Sequence, residues 1–120
     1  PLTQSQLNKA RAAIRDVRMS EQVEEYLVQI ILATRNSEKY GGNLSDWLEF
    51  GASPRATIAL DICSKSLAWL DNRNFVTPDD IRSIAHDVLR HRLILSFEAE
   101  ANGISSDQVV DELLKVVPSA

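Results

Sequence analysis

Arg55 sits where a sequence written for stability would place an acid. Ser53 followed by Pro54 is a helix start, with a hydroxyl residue at the cap and proline in the first helical position. Arg55 then falls in the first turn, where the helix dipole is positive and a cation costs roughly 0.3–1 kcal/mol. First-turn N–H groups and a guanidinium together favour an anion, phosphate above all. Gly51, lacking a side chain, lets the backbone ahead of the helix turn tightly or lie close to a ligand. The stretch Gly51-Ala52-Ser53-Pro54-Arg55-Ala56 is the candidate anion site, and Gly51, Ser53, Pro54 and Arg55 are its candidate contacts.

Other residues with chemical potential have simpler explanations. Asp79 and Asp80 follow Thr77-Pro78 and fit the first turn of a helix, where acids complement the dipole. Arg90-His91-Arg92 gathers positive charge at the far end of the same helix, the end that favours it; a contact with phosphate or with a neighbouring protein's acids is the other reading. Arg73, just past a helix end, is a weaker second candidate for an anion. His86 and His91 lie five apart, off the spacing that places two ligands on one helix face, and no Cys accompanies them, so no metal site is expected. Cys63 reads as a small core residue rather than a nucleophile, since no base is paired with it. Ile58-Ala59-Leu60-Asp61 has the look of an apolar strand ending in a magnesium-positioning Asp. It lies inside a helical pattern, however, and Ile62 stands where a catalytic Glu would be needed. No G-x-x-x-x-G-K-[ST] occurs, so the chain carries no phosphate-cradling loop of its own.

The elements that must hold Arg55 read as helices. Thr3-Gln4-Ser5-Gln6 is a capping box, followed by Leu7, Ala10, Ile14 and Val17 at helical spacing up to about Asp16. Ser20 caps a second helix with Glu21 and Glu24 near its positive end; Val23, Leu27, Ile30, Ile31 and Thr34 form its inward stripe, and Asn36 stops it. Tyr40-Gly41-Gly42-Asn43 is turn chemistry, and Leu44–Phe50 is too short to settle as helix or strand. The Asn43-Leu44-Ser45 sequon would matter only in a secreted protein. From Pro54 to about Asn72, one apolar stripe runs through Ala56, Leu60, Cys63, Leu67 and Leu70 and another through Ile58, Ile62 and Trp69. That pattern predicts a central helix packed on more than one side. Asn72 can adopt the left-handed conformation that ends a helix. Ile81, Ile84, Ala85, Val88 and Leu89 give the next helix a clean apolar face. Leu93–Glu100 is ambiguous and Gly103 is a stop. Ser105-x-x-Gln108 is another capping box, opening a last helix that carries Val109, Val110, Leu113, Leu114 and Val117.

Composition sets the outer limits. The 120 residues are 44% hydrophobic and 25% charged, with 4 Gly and 4 Pro, which is ordinary globular composition. A chain of this length reads as one domain, residues 1–120, able to bury about two thirds of its unfolded surface. The net charge of -4 and pI near 5.1 speak against a general nucleic-acid or anionic-membrane binder, though not against one local basic site. A single Cys allows no internal disulfide framework and fits a reducing compartment. No signal peptide and no apolar run of membrane-spanning length is visible, so the expected location is cytoplasmic. The chain opens at Pro1 with a cap already under way and no initiating Met, as an excised piece of a longer protein would.

Taken together, these pieces are familiar. Gly51-Ala52-Ser53-Pro54-Arg55-Ala56 resembles the sensor-2 motif of MoxR-family AAA+ ATPases. Tyr26 and Ala33-Thr34-Arg35 precede it in the family's order. After it come Arg73-Asn74-Phe75-Val76-Thr77-Pro78-Asp79-Asp80-Ile81, Val88-Leu89-Arg90-His91-Arg92-Leu93, Glu98-Ala99 to Gly103, and Val116-Val117-Pro118. The resemblance runs from about Leu2 to Pro118. Asn72 stands where the family commonly has Gly, and Ser37–Asp46 does not closely follow the family's pattern.

The resemblance implies an all-α bundle of about five helices, of the AAA+ lid type, C-terminal to an α/β core that would supply the phosphate loop, the magnesium-binding acid and the catalytic Glu. A very short strand pairing using Trp47–Phe50, Phe75-Val76 or Arg92–Ser96 is compatible with it. The implied activity is that of the parent ATPase. The lid closes over ATP with magnesium, and Arg55 reaches the γ-phosphate as the sensor-2 arginine. The chain alone would bind no nucleotide tightly. Implied partners are the protein's own core, neighbouring subunits of a ring, and remodelled or activated client proteins, often ones with von Willebrand factor A domains or ones involved in metalloenzyme assembly. No nucleic acid is implied. The competing reading is a freestanding helical interaction module in which Arg55 and Arg90–Arg92 contact other macromolecules.

Overall fold

A computed structural model describes residues 3–118. Pro1 and Leu2, where the chain and the family resemblance begin, lie outside the described residues, as do the last two positions. Among the described residues there are seven α-helices and one two-stranded antiparallel sheet. Helix α3 (Leu44–Trp47) falls in the segment too short to settle from sequence, and α6 (Phe97–Ala101) begins in the stretch read as ambiguous.

The long helices start where hydroxyl caps are written. Helix α1 (Gln4–Arg15) and α7 (Ser106–Val116) both open on complete capping boxes, from Thr3 with Gln6 and from Ser105 with Gln108. Helix α2 (Glu21–Arg35) opens on Ser20, whose hydroxyl accepts the Val23 amide at 3.2 Å. Helix α5 (Pro78–Leu89) opens on Thr77 with Asp80 as the reciprocal partner. Each such cap satisfies amides that have no partner inside the helix, worth about 1 kcal/mol apiece.

Helix α4 (Pro54–Leu70) ends as Asn72 predicts. Asn72 has φ 58, the Arg73 amide donates to the Ala68 carbonyl at 2.9 Å, and the Asn72 amide donates to Trp69 at 3.0 Å. This is a Schellman closure, which uses up the last orphan carbonyls. Helix α6 closes in the same way through Gly103, with φ 76, and Ile104.

The core gathers Tyr26, Leu27, Ile30 and Ile31 of α2, Leu60 of α4, Ile81, Ala85 and Leu89 of α5, and Val109, Val110 and Leu113 of α7. Helix α4 packs on α1, α2 and α5, and α7 closes the other side against α5, α2 and α3. Strands β1 (Leu48–Phe50) and β2 (Ile94–Leu95) pair Leu48 with Leu95 and Phe50 with Ile94. Phe75 makes an isolated parallel bridge with Arg18. All three segments anticipated for strand pairing contribute backbone bonds.

The central helix differs in one respect from its apolar pattern. Its buried row is Ala56, Leu60, Ser64 and Ala68, four residues apart. Ile58, Ile62, Cys63 and Leu70 are exposed, and Leu67 is half-buried. Small residues along one row let neighbouring helices come close. The buried Ser64 hydroxyl donates to the Asp61 carbonyl of its own helix and so imposes no unsatisfied group. Cys63 is therefore a surface residue, not a core one.

Candidate functional site

The Gly51–Arg55 segment is held from behind by the end of α2. Thr34, buried at 3% exposure, donates its hydroxyl to the Ile31 carbonyl at 2.6 Å and accepts the Ala52 amide at 2.9 Å. Gly51 lies flat against the same residue. A Cβ built on Gly51 would stand 2.2 Å from the Thr34 carbonyl oxygen and 2.9 Å from the Arg35 nitrogen. Glycine is thus required here by close approach of two backbones, and the close neighbour is the chain itself. Ala52 and Ala56 are buried on either side of the turn and anchor it in the core.

Gly51, Ser53 and Pro54 meet in one open depression of about 540 Å³, with Thr34, Arg35 and Glu49 among its other walls. Arg55, the next residue, is exposed in the first turn of α4. Among the described residues no ion pair or side-chain hydrogen bond engages its guanidinium. Ser53 has the extended backbone of a cap, φ -79 and ψ 169, yet its hydroxyl accepts no amide from the first turn. The hydroxyl caps of α1, α2, α5, α6 and α7 all do. The Ala56 amide turns back to the Ser53 carbonyl instead, at 2.9 Å. Helix α4 thus presents an uncapped positive end beside an unpaired cation, an arrangement that favours an anion.

Arg73, Arg90 and His86 are engaged elsewhere. Arg73 forms a fork on Asp80, 2.7 Å on each branch, and also reaches Asp71 at 2.9 Å and the Phe75 carbonyl at 3.2 Å. Its bonds to Asp80 and then Asp71 push its pKa up. Asp80 is held below the usual carboxylate range, first by the Arg73 hydrogen bond, against the upward push of burial. Arg73 is therefore a bracket across the α4–α5 link, and Asp80 combines that task with capping. Arg90 pairs with Asp107 at 2.8 Å and Asp87 at 3.2 Å, tying α5 to the start of α7; Asp107 is the main cause of its raised pKa. His86 meets Asp111 at 2.7 Å. His91 and Arg92 are exposed. Among the described residues no three His, Cys, Asp or Glu side chains come together as a metal cluster.

Sequence reasoning placed Thr34 on the inward stripe of α2 without assigning its hydroxyl a partner. The signal was present. A hydroxyl on an otherwise apolar stripe must find partners, and its own helix offers acceptors but no free donor.

The family model described as AAA lid domain matches residues 45–113. The chain belongs to the AAA lid domain family. It is 40% identical over 94 residues to the chaperone MoxR1 of Mycobacterium tuberculosis, covering 78% of this chain and 25% of that protein. It is 34% identical over 104 residues to the uncharacterized protein YeaC of Bacillus subtilis, covering 87% of this chain and 30% of that one. The crystal structure of a protein from Cytophaga hutchinsonii assigned as an ATPase superposes with a TM-score of 0.89 at 38% identity, covering 95% of this chain and 35% of that one. The lid chain thus spans a quarter to a third of the length of these proteins. The lid is of the MoxR type, as the order of its motifs implies, and its fold is the all-helical one expected. No helix among the described residues is long and apolar enough to cross a membrane.

Proposed function

We propose that this lid is the C-terminal part, residues 1–120, of a cytoplasmic AAA+ ATPase, and that Arg55 is its sensor-2 arginine. In this reading the lid closes over ATP held by an α/β core. Arg55, Gly51, Ser53 and Pro54 form the lid's share of the nucleotide site, and magnesium comes with the core. The observation that carries the proposal is Arg55, exposed and without a partner among the described residues, on the uncapped first turn of α4 in a MoxR-type lid.

The residues present suit a phosphate. The donors are a delocalised guanidinium and a positive helix end, and the flexible Arg stem can extend towards a ligand held by another domain. A charge-assisted hydrogen bond of this kind is worth about 1.5–3 kcal/mol, more than the roughly 0.3–1 kcal/mol cost of an Arg against the dipole. A residue bonding to phosphate only when the lid is shut couples lid position to nucleotide state, and the motion is the output of the domain. That output would drive chaperone-like remodelling or activation of client proteins, von Willebrand factor A domain proteins among them, by a ring of subunits.

Replacing Arg55 by Ala in the full-length ATPase tests the assignment. Hydrolysis should slow markedly while the protein stays folded and assembled; unchanged turnover would sink the sensor role. The isolated lid should bind ATP weakly, since one arginine and one helix end are half a site, and calorimetry showing submicromolar affinity would contradict this.

A further inference from the structure

The route from α2 to the backbone of Arg55 is short. The Thr34 hydroxyl bonds to the Ala52 amide, a contact between residues 18 apart in sequence. Gly51 permits the contact by having no Cβ to strike the Thr34 carbonyl. Three residues after Ala52 stands Arg55, with Pro54 between them restricting φ and Ala52 and Ala56 buried at the two ends of the turn. Little slack remains in this segment, so the height and tilt of the first turn of α4 follow the position of Thr34.

We infer that Thr34 is a positioning residue for Arg55: its bond to the Ala52 amide sets where the guanidinium can reach. The inference rests on the sensor-2 reading above. Thr34 reaches the reaction only through the backbone it holds. The Thr34 hydroxyl donates its hydrogen bond to the Ile31 carbonyl, which leaves an oxygen lone pair to accept the Ala52 N–H. Valine has nearly the same shape but accepts nothing. Thr34→Val would strand a buried N–H and let the loop settle elsewhere. Serine keeps the acceptor.

The test is a double-mutant cycle in the full-length ATPase with Thr34→Val, Thr34→Ser, Arg55→Ala and Thr34→Val/Arg55→Ala, each confirmed as folded by circular dichroism. Thr34→Val should lower kcat by about tenfold with KM for ATP changed by less than about threefold, as misplacement of a reaching group does. Thr34→Ser should restore most of the rate, and the double variant should be no slower than Arg55→Ala alone. In the isolated lid, Thr34→Val should also speed hydrogen exchange of the Ala52 amide. Should Thr34→Val fail to fold, Thr34→Ala takes its place. If Arg55→Ala slows hydrolysis while the Thr34 variant runs at full rate, or slows the Arg55→Ala enzyme by the same factor as the wild type, the inference is overturned and the sensor-2 reading stands. If Arg55→Ala has no effect, both fall.

Discussion

Arg73 and Asp80 meet as a two-pronged pair, with both guanidinium–carboxylate distances at 2.7 Å, across the link that joins α4 to α5. The same carboxylate accepts the Thr77 amide at 2.8 Å, so one buried side chain starts α5 and fixes the end of α4. Arg73 is completed by Asp71 and by the Phe75 ring, whose centroid lies 5.8 Å from the guanidinium carbon. Since Arg55 lies in the first turn of α4 and Arg73 follows its end, this bracket sets how the helix that carries the proposed sensor sits on the bundle.

Asp80→Asn should lower the melting temperature of the lid at pH 7 by on the order of 5 °C, since it leaves Arg73 without its main partner. The pH dependence has a definite sign. Asp80 has its folded pKa below the unfolded value, so its contribution is complete above the unfolded carboxylate pKa of about 3.9 and fades as pH falls through the folded value. The gap in melting temperature between wild type and Asp80→Asn should therefore hold from pH 7 to about 5 and narrow below about 4. A gap that stayed constant into acid would show that charge pairing is not what Asp80 contributes.

The row that faces the core of α4 can be separated from the row that faces water. Leu60 is fully buried, whereas Ile58 is 60% exposed. Leu60→Ala should cost about 2–5 kcal/mol by urea unfolding, through lost burial and a residual cavity. Ile58→Ala should change stability by less than about 0.5 kcal/mol. Equal losses would mean that the row carrying Ile58 is covered as well as the row carrying Leu60.

That contrast shows what was legible and what was not. Caps announce themselves, because Thr3, Ser20, Thr77 and Ser105 each solve a local problem with a nearby side chain. The stop at Asn72 is local in the same way. Burial on α4 was harder to read. Ile58 and Ile62 are as apolar as Leu60, and only the placement of other helices decides which of them is covered. Ser64 and Ala68 carry too little apolar character to mark the buried row. At the candidate site, Arg55 was visible because it conflicts with its own helix dipole. The bracket at Arg73 was not, since its partners arrive only when the turn after α4 brings Asp80 back beside it. Thr34 belongs to the same class: its second bond joins residues 18 apart.

Asn72 offers a test at a single backbone angle. At φ 58 it is in the left-handed region, which costs an ordinary L-residue about 1–2 kcal/mol and glycine nothing. Asn72→Gly should alter stability by less than about 1 kcal/mol, the gain in backbone freedom offset by the more flexible unfolded chain. Asn72→Val should cost about 1–2 kcal/mol or more, because a β-branched residue fits this region worst. Thermal unfolding monitored by circular dichroism separates the two, and a valine variant as stable as wild type would contradict the closure drawn here.

Arg55 itself is best tested by asking stability and activity to move in opposite directions. Arg55→Glu removes a cation from the positive end of α4 and supplies an anion there, so the isolated lid should become more stable. Each change is worth about 0.3–1 kcal/mol at low ionic strength. Salt should erase much of the gain, since the site is exposed and charges there are screened over roughly 10 Å at 0.1 M. On the proposed sensor role, the same substitution in the full-length protein should abolish hydrolysis more completely than Arg55→Ala, because a carboxylate would repel the phosphate that Arg55 is proposed to attract. The two measurements, chemical unfolding of the lid and turnover of the ATPase, bear on separate links of the reasoning. A destabilised lid would remove the argument that Arg55 is held against its helix dipole, and an active Arg55→Glu enzyme would remove the role assigned to it.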